Sequence, residues 1–168
     1  MSDQLTMFKA REFRAADASM FDRAVEGMIG LRCVLCKKGY RGMISLHFGQ
    51  LQERPDPPPG AVGKKQGTWI IDMWDCDRRL TTGLTVIDSR TESERSFYEQ
   101  LCSLEGEEIA GINLNDDLSS TIRFGSGAVL ELMVEPDGSA DAEQWAIELP
   151  ERRAISVYGK AHWSVQSN

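Results

Sequence analysis

Two runs of alternating apolar and polar residues, 119–124 and 128–134, flank the tripeptide Gly125-Ser126-Gly127. A period of two residues is typical of a half-buried strand, and a short glycine-rich connection joins antiparallel strands. Further short strands are predicted over residues 31–38, 43–48, 107–114, 144–149 and 154–158, and a pair of strands over residues 67–86. Their connections are too short for the helical crossovers that a parallel sheet requires. We therefore expect an α+β fold, a curved antiparallel sheet of about seven to nine short strands with two helices packed on one face or edge.

Two segments have helical periodicity, residues 17–30 and 91–104. In the first, the residues expected to face the core are Phe21, Ala24, Val25 and Met28. In the second, they are Phe97, Leu101 and Leu104. Asp17 is suited to cap the first helix, because its carboxylate can accept an amide proton from the first turn, and Gly30 is suited to end it.

A chain of 168 residues is long enough for one domain with its own hydrophobic core, and we expect residues 1–168 to form a single domain. Loose order is expected at the two ends, 1–15 and 160–168. Residues 51–66 contain four prolines and two glycines and have no periodicity. Such a stretch is not expected to pair in a sheet, so it is predicted to be a mobile surface loop.

Charge is unevenly distributed along the chain. Residues 1–87 carry 13 basic and 10 acidic side chains, residues 88–168 carry 6 and 16, and the formal net charge is −7. A general binder of nucleic acid or of an anionic membrane needs a surplus of Lys and Arg, so we expect neither partner. The acidic C-terminal half instead favours a basic protein.

The beginning of the chain carries charged residues and is not followed by an apolar stretch of signal-peptide length. No window approaches the 18 apolar residues of a transmembrane helix. These observations favour a cytoplasmic protein, in which the four cysteines would stay reduced.

Cys33 and Cys36 form a CxxC motif, which in zinc sites is accompanied by a second ligand pair. The remaining ligand candidates, His47, Cys76, Cys102 and His162, are scattered. On a regular strand, positions three apart point to opposite faces, which would separate the two thiols. We therefore interpret Cys33 and Cys36 as buried structural cysteines and predict no metal and no cofactor.

The two histidines do not make a recognisable catalytic site. His47 is expected on one strand face with Ser45, and His162 lies in the C-terminal tail. A nucleophilic system needs a histidine beside its nucleophile and a third group that orients the ring. Since the sequence indicates no such set, we predict no catalytic residues and a protein that is not an enzyme.

Acidic residues surround an aromatic one in the middle of the chain. Asp72, Asp75 and Asp77 lie about Trp74 and Cys76, and two further acids, Asp116 and Asp117, end a strand. Clustered acids are mostly solvated surface, but Trp is enriched in interface hot spots. The possible partner surface consists of Asp75, Asp77, Asp116, Asp117 and Trp74. Trp69 and Trp145 are instead expected in the sheet core.

Several short motifs occur in a fixed order: Ser45-Leu-His-Phe-Gly49, then Gly67-Thr-Trp, then Asp117-Leu…Phe124…Leu130, then Trp145-Ala-Ile. This order resembles a bacterial family of unknown function with the pattern LxFG, GxW, DLxxxFxxGxxL and WxI. The resemblance covers roughly residues 28–158 and implies a module similar to the immunity proteins of polymorphic toxin systems. It implies no catalytic residues. One departure is at Trp74-Asp-Cys-Asp, where the family has a Trp-Arg pair.

The predicted function is that of a non-enzymatic protein-binding module, immunity-like, whose acidic half meets a basic protein. The alternative is a small-molecule binder or unrecognised enzyme with a pocket between sheet and helices. That pocket would hold Trp74 or Trp69, with His47 or an aspartate nearby. Self-association through a sheet edge is a third expectation.

Overall fold

The computed structural model of the chain describes residues 11–13, 18–54, 65–135, 142–159 and 162–167. The helices are α1 (Ala18–Val25) and α2 (Glu94–Leu101), each continued by a 3-10 turn, at Glu26–Met28 and at Cys102–Leu104. The strands in chain order are β1 (Arg11–Phe13), β2 (Cys33–Lys38), β3 (Ile44–Phe48), β4 (Gln52–Glu53), β5 (Lys65–Gln66), β6 (Trp69–Met73), β7 (Asp77–Thr82), β8 (Thr85–Asp88), β9 (Ile109–Leu114), β10 (Ser120–Phe124), β11 (Val129–Met133), β12 (Glu143–Leu149), β13 (Arg153–Tyr158) and β14 (His162–Ser167).

The predicted α+β class is confirmed, and its strands divide into three antiparallel sheets. A seven-stranded sheet has the order β1-β14-β13-β12-β6-β3-β2, and a five-stranded sheet has the order β8-β7-β11-β10-β9. The third consists of β4 and β5 alone. Most ladders therefore join strands that are consecutive in the chain, which agrees with the hairpin-length connections in the sequence.

Helix α1 packs against strands of both large sheets. Its Phe21 is fully buried, with T-shaped ring contacts at 6.3 Å from Trp145 of β12 and 6.1 Å from Trp163 of β14. The helix also contacts β9. Val25 and Met28 are buried as their spacing predicts, and Gly30 has the positive φ of a residue that ends a helix. The expected cap, Asp17, lies outside the described residues.

Helix α2 begins at a serine cap. The side chain of Ser93 accepts a 3.1 Å hydrogen bond from the backbone N–H of Ser96. The predicted apolar face is confirmed, because its three members, Phe97, Leu101 and Leu104, are all buried. Neither helix is long and apolar enough to cross a membrane, among the residues that the structure describes.

The loose order expected at the chain ends is wrong for two segments. Arg11–Phe13 pairs with β14, and His162–Ser167 pairs with both β1 and β13. Trp163 is fully buried in the hydrophobic core. The strand 162–167 forms because β13 offers it a complete hydrogen-bonding edge, a partner that the local sequence pattern does not show.

Strand β3 is buried on both faces, whereas its alternation predicts one exposed face. All five residues from Ile44 to Phe48 are buried, including Ser45 and His47. The strand lies between β2 and β6, so neighbours flank it on each side.

The ends of the proline-rich segment do pair, contrary to prediction. Gln52 pairs with Gln66 and Glu53 with Lys65, which forms the two-stranded sheet. The pairing uses the residues before and after the prolines, so no proline has to donate to the ladder. Residues 55–64 of the predicted mobile loop, and the loop predicted at 136–139, lie outside the described residues.

Candidate functional site

One face of the seven-stranded sheet carries a row of polar residues. Cross-strand partners share a face, and the register makes a single row from β2 to β14. In spatial order the row, called here the polar row, consists of Lys37, Ser45, Asp72, Ala146, Ser156 and Ser164. The opposite face carries the core, for example Leu46, Ile71 and Ile147.

The polar row is buried from Ser45 to Ser164 although it is not part of the core, and Lys37 at its end is half-buried. Ser45 and Asp72 are each 4% exposed, and Ser156 and Ser164 are each 3% exposed. The hydroxyl of Ser45 donates a hydrogen bond to Oδ1 of Asp72 across the β3–β6 ladder. Burying polar groups is costly unless they are hydrogen-bonded, so this buried polar face is a candidate functional site.

Asp72 holds its proton unusually tightly. The pKa of its carboxyl is raised to about 7, first by burial and then by the negative charge of Glu148, while the hydrogen bond from Ser45 opposes both. Glu148, whose side chain contributes to this shift, lies two residues from Ala146 on the same face of β12. Burial likewise raises the pKa of Glu143, whose carboxylate hydrogen-bonds to Ser156. The carboxyl groups of Glu143 and Glu148 on β12 and of Asp72 on β6 therefore lie on one face of the sheet.

His47 lies beside this group and is held neutral. Its Nδ1 accepts a 3.1 Å hydrogen bond from the backbone N–H of Gly67, so the ring proton belongs on Nε2. Nε2 is buried, and no described residue forms a hydrogen bond with it. Burial lowers the pKa of His47 to about 4, and the positive charges of Lys37 and Arg54 act in the same direction.

Ser45, His47 and Asp72 share a face, but their hydrogen bonds differ from those of a nucleophilic triad. In a triad the serine donates to the imidazole and the imidazole donates to the carboxylate. Here the serine donates directly to Asp72, and the histidine nitrogen that would face an orienting group accepts a backbone proton. Ser45 is therefore hydrogen-bonded to a carboxyl group and not to the imidazole.

The two cysteines of the CxxC motif share a face, which corrects the sequence expectation. A register shift between Cys33 and Leu35 adds one residue to the strand, so Cys33 lies opposite Phe48 and Cys36 opposite Leu46. Both positions face the core, where the two cysteines are buried. Burial raises the pKa of Cys36, and a hydrogen-bonding contact with Cys102 adds to that effect.

The buried thiols of Cys33 and Cys36 are suited to core packing more than to nucleophilic or redox reactions with molecules in solution. Burial raises the pKa of Cys33 to about 12, so its reactive thiolate form is suppressed. Within the described part of the chain, no group of three or more His, Cys, Asp and Glu side chains is arranged to hold a metal ion. The other ligand candidate, His162, begins β14, and its side chain lies outside the described residues.

The aspartates of the predicted partner surface lie at one end of the five-stranded sheet, the two pairs on different strands. β7 begins at Asp77 and pairs with β11, which pairs with β10, and the β9–β10 turn contains Asp116 and Asp117. Asp75 precedes β7 in a bend and is exposed, so it does not share a strand face with Asp77 as expected. We call these four aspartates the acidic end.

Individual members of the acidic end differ in their contacts. Oδ1 of Asp117 accepts a 2.9 Å hydrogen bond from the backbone N–H of Ser119, as expected of a turn residue. The hydrogen bonds from Ser119 keep the pKa of Asp117 below its usual value. Asp77 lies 3.9 Å from Arg90, and Trp74, which precedes Asp75, is half-buried.

The tryptophans separate into different environments. Trp145 is fully buried, as predicted, and Trp69 packs against Gly27, where an added Cβ would lie 2.8 Å from the Trp69 ring. Trp69 is on the core face of β6, whereas His47 and Asp72 lie on the opposite face. The expected combination of Trp69 with His47 in one pocket therefore does not form.

Sequence reasoning did not single out Glu143, Glu148, Ser156 and Ser164. The available signal was the alternation of residues 154–158, which places Ser156 on the face opposite Ile155 and Val157. Nothing in that pattern indicates that the polar face is buried. Comparison of the chain with protein-family models, with curated proteins and with solved structures finds no match.

Proposed function

We propose that this chain is a non-enzymatic, immunity-like module that binds a basic protein through the acidic end. The observation that carries the proposal is the strand order of the five-stranded sheet. It brings Asp75 and Asp77 to the same end as Asp116 and Asp117, although about 40 residues separate the two pairs.

Electrostatics supports this choice of partner. Three of the four aspartates are exposed, so a negative potential at this end would steer a positively charged surface during encounter. Half-buried Trp74 adjoins the acidic end and can supply an apolar anchor among the charges. The hydrogen bonds of Ser45 and His47 are not those of a Ser-His-Asp triad, which supports a role other than triad catalysis.

The experiment compares three forms of the full chain as bait for proteins of the source cell. The test variant carries Asp75→Asn and Asp116→Asn, both at exposed positions. The control carries Asp22→Asn and Glu26→Gln, exposed residues of α1 and its 3-10 turn, which remove the same amount of charge. Capture is followed by mass spectrometry at low salt and at about 0.5 M salt, where the screening length is roughly 3–5 Å.

The proposal expects a basic protein that the wild type and the control capture and that the test variant loses. Binding should also weaken strongly at the higher salt concentration, because contacts between exposed charges are screened. A partner retained equally by all three forms would contradict the acidic end as the binding surface. A captured protein that is acidic and insensitive to salt would contradict the electrostatic proposal itself.

A further inference from the structure

Three of the four cysteines come together where β2 meets the end of α2. Cys33 and Cys36 of β2 are buried, and Cys102 begins the 3-10 turn that continues α2. This turn contacts β2, and Cys102 packs against the core cluster that contains Cys33 and Cys36. The fold therefore gathers thiols from two distant segments of the chain.

Hydrogen bonds through Glu105 hold Cys36 and Cys102 beside each other. The backbone N–H of Cys36 donates a 2.6 Å hydrogen bond to Oε1 of Glu105. The backbone N–H of Glu105 donates a 3.1 Å hydrogen bond to the carbonyl oxygen of Cys102. The backbone N–H of Cys33 donates a 2.8 Å hydrogen bond to the carbonyl oxygen of Glu107, so the chain after the 3-10 turn runs alongside β2. Both cysteines are thus positioned by the same glutamate.

The thiols of Cys36 and Cys102 also meet. The register of β2 turns Cys36 towards the core, alongside Leu46 of β3. There its thiol is in hydrogen-bonding contact with the thiol of Cys102, and this contact adds to burial in raising the pKa of Cys36. Thiols in contact can reach bonding distance by rotation of their side chains, provided that the backbone positions allow the disulfide geometry.

The two cysteines of the CxxC motif are too far apart to form a disulfide with each other. Cys33 and Cys36 are three positions apart on one strand, so at a rise of about 3.3 Å per residue their Cα atoms are separated by roughly 9–10 Å. A disulfide requires Cα atoms within about 7 Å. Cys102 is therefore the partner that the fold offers to Cys36.

Cys36 and Cys102 differ in their access to solvent. Cys102 is half-exposed, whereas Cys36 is 5% exposed. An oxidant in solution therefore meets Cys102 first, and Cys36 is reached through the sulfur of Cys102. This order is that of an attacking thiol with a resolving thiol behind it.

We propose that Cys36 and Cys102 form a reversible disulfide by exchange with a low-molecular-weight disulfide. The thiolate of Cys102 attacks one sulfur of the small disulfide, whose S–S bond breaks and releases one small thiol. Cys36 then attacks the sulfur of Cys102, the bond between the two cysteines forms, and the second small thiol leaves. Two protein thiols are oxidised and one small disulfide is reduced, and the protons of both protein thiols end on the released thiols. Because burial suppresses the thiolate of Cys36, the second step is the slower one.

The bond fastens an outer strand of the seven-stranded sheet to the end of a helix. β2 is the last strand in the order of that sheet, and α2 leads through its 3-10 turn to β9 of the five-stranded sheet. The cross-link therefore ties the two large sheets together. It also restricts the unfolded chain between Cys36 and Cys102, which favours the folded state.

The experiment incubates the reduced full chain with glutathione disulfide under native conditions. Intact mass and non-reduced peptide maps are followed over time. The test variants are Cys36→Ala, which removes the resolving thiol, and Cys102→Ser, which removes the attacking thiol. The matched control is Cys33→Ala, which removes the other buried thiol of the motif. The wild-type peptide map identifies the linked pair by itself, so the result does not depend on the stability of any variant.

We expect a transient glutathione adduct on Cys102 of the wild type, followed by a link between the peptides that contain Cys36 and Cys102. Cys36→Ala should stop at the adduct, Cys102→Ser should give neither product, and Cys33→Ala should give the link. The oxidised wild type should unfold at a higher urea concentration than the reduced form, and dithiothreitol should reverse this shift.

A stable adduct on Cys102 without a link would overturn the proposal, as would a link that contains Cys33 or the absence of any reaction. If the oxidised protein unfolded at the same or a lower urea concentration than the reduced protein, the bond would not fasten the folded state. These outcomes are independent of the acidic end, whose residues are not changed.

Discussion

Ser45 and Asp72 face each other across the β3–β6 ladder, and the serine hydroxyl donates to a carboxyl group whose pKa is raised to about 7. The pair lies on the polar row, close to His47, whose pKa is lowered to about 4. Burial is the largest cause of both shifts, and it favours the neutral form of each group. Their effects on the pH dependence of stability therefore have opposite signs.

The first prediction concerns Asp72→Asn. In the wild type, the raised pKa of Asp72 stabilises the fold at low pH, and this contribution is lost as the pH rises from about 4 to about 7. The lowered pKa of His47 does the reverse, because its contribution is lost as the pH falls from 6.5 to about 4. In Asp72→Asn the free energy of unfolding should therefore rise with pH across this window, by up to about 1.4 kcal/mol per unit.

The matched variant, His47→Gln, should show the opposite slope, with stability falling as the pH rises towards 7. Urea unfolding between pH 4 and pH 8 measures both slopes. The charged neighbours Lys37, Glu143 and Glu148 stay in place in each variant, so the double variant should lose both dependences. If the free energy of unfolding of Asp72→Asn varied with pH as in the wild type, the raised pKa of Asp72 would be contradicted.

The second prediction concerns the C-terminal strand. Trp163→Ala should lower the free energy of unfolding by about 3–5 kcal/mol, because a fully buried ring that packs on Phe21 is removed. The control is Leu84→Ala, at a fully exposed leucine in the β7–β8 turn, which should change stability by less than about 0.5 kcal/mol. Chemical denaturation compares the two. If Trp163→Ala lost as little stability as Leu84→Ala, the strand 162–167 would not be packed on the core.

The third prediction concerns the close approach of Gly67 to β3. A Cβ at this position would lie 2.7 Å from the backbone N and O atoms of Phe48, so Gly67→Ala forces the backbone apart. We expect a loss of about 1–3 kcal/mol or more, together with loss of the hydrogen bond from Gly67 to His47. Unfolding curves measure the loss.

Gly83→Ala is the control for that variant. Gly83 has a φ of 58°, but an added Cβ there meets no atom within 4 Å. Its cost should be limited to about 1 kcal/mol of backbone strain. If the two alanine variants were equally stable, the contact between Gly67 and Phe48 would not be tight.

The fourth prediction concerns thiol reactivity. Iodoacetamide at about pH 8 should modify Cys102 first, because Cys102 is half-exposed and the other three cysteines are buried. Burial raises the pKa of both Cys33 and Cys76 to about 12, so little thiolate is present in the folded protein. Peptide mapping by mass spectrometry gives the order of modification. In urea all four should react at similar rates, and early labelling of Cys76 in the native state would contradict the prediction.

The helix faces were predictable because their signal is local. The spacing of Phe21 and Met28, and of Phe97 and Leu101, indicates one apolar stripe each, and these side chains are buried. The hairpin at Gly125-Ser126-Gly127 was predictable for the same reason, since the turn and both strands are adjacent in the chain.

The polar row was not predictable, because it depends on which strands become neighbours. Ser45 and Asp72 come together across β3 and β6, and Ser156 joins them through β12, a pairing between distant segments. The bulge after Cys33 is a second example, since one extra residue in the ladder reverses the expected faces of the motif. The acidic end likewise depends on the order of β7, β11 and β10.

The ladder between β1 and β14 has a consequence for how the chain folds. Arg11 pairs with Val165, so this pairing closes a loop over most of the sequence, and the entropy of closure opposes it. Hairpins such as β10–β11 close short loops and should form early. We expect the β1–β14 ladder to form last, in a slow phase, and its amides to exchange with solvent before those of the hairpins.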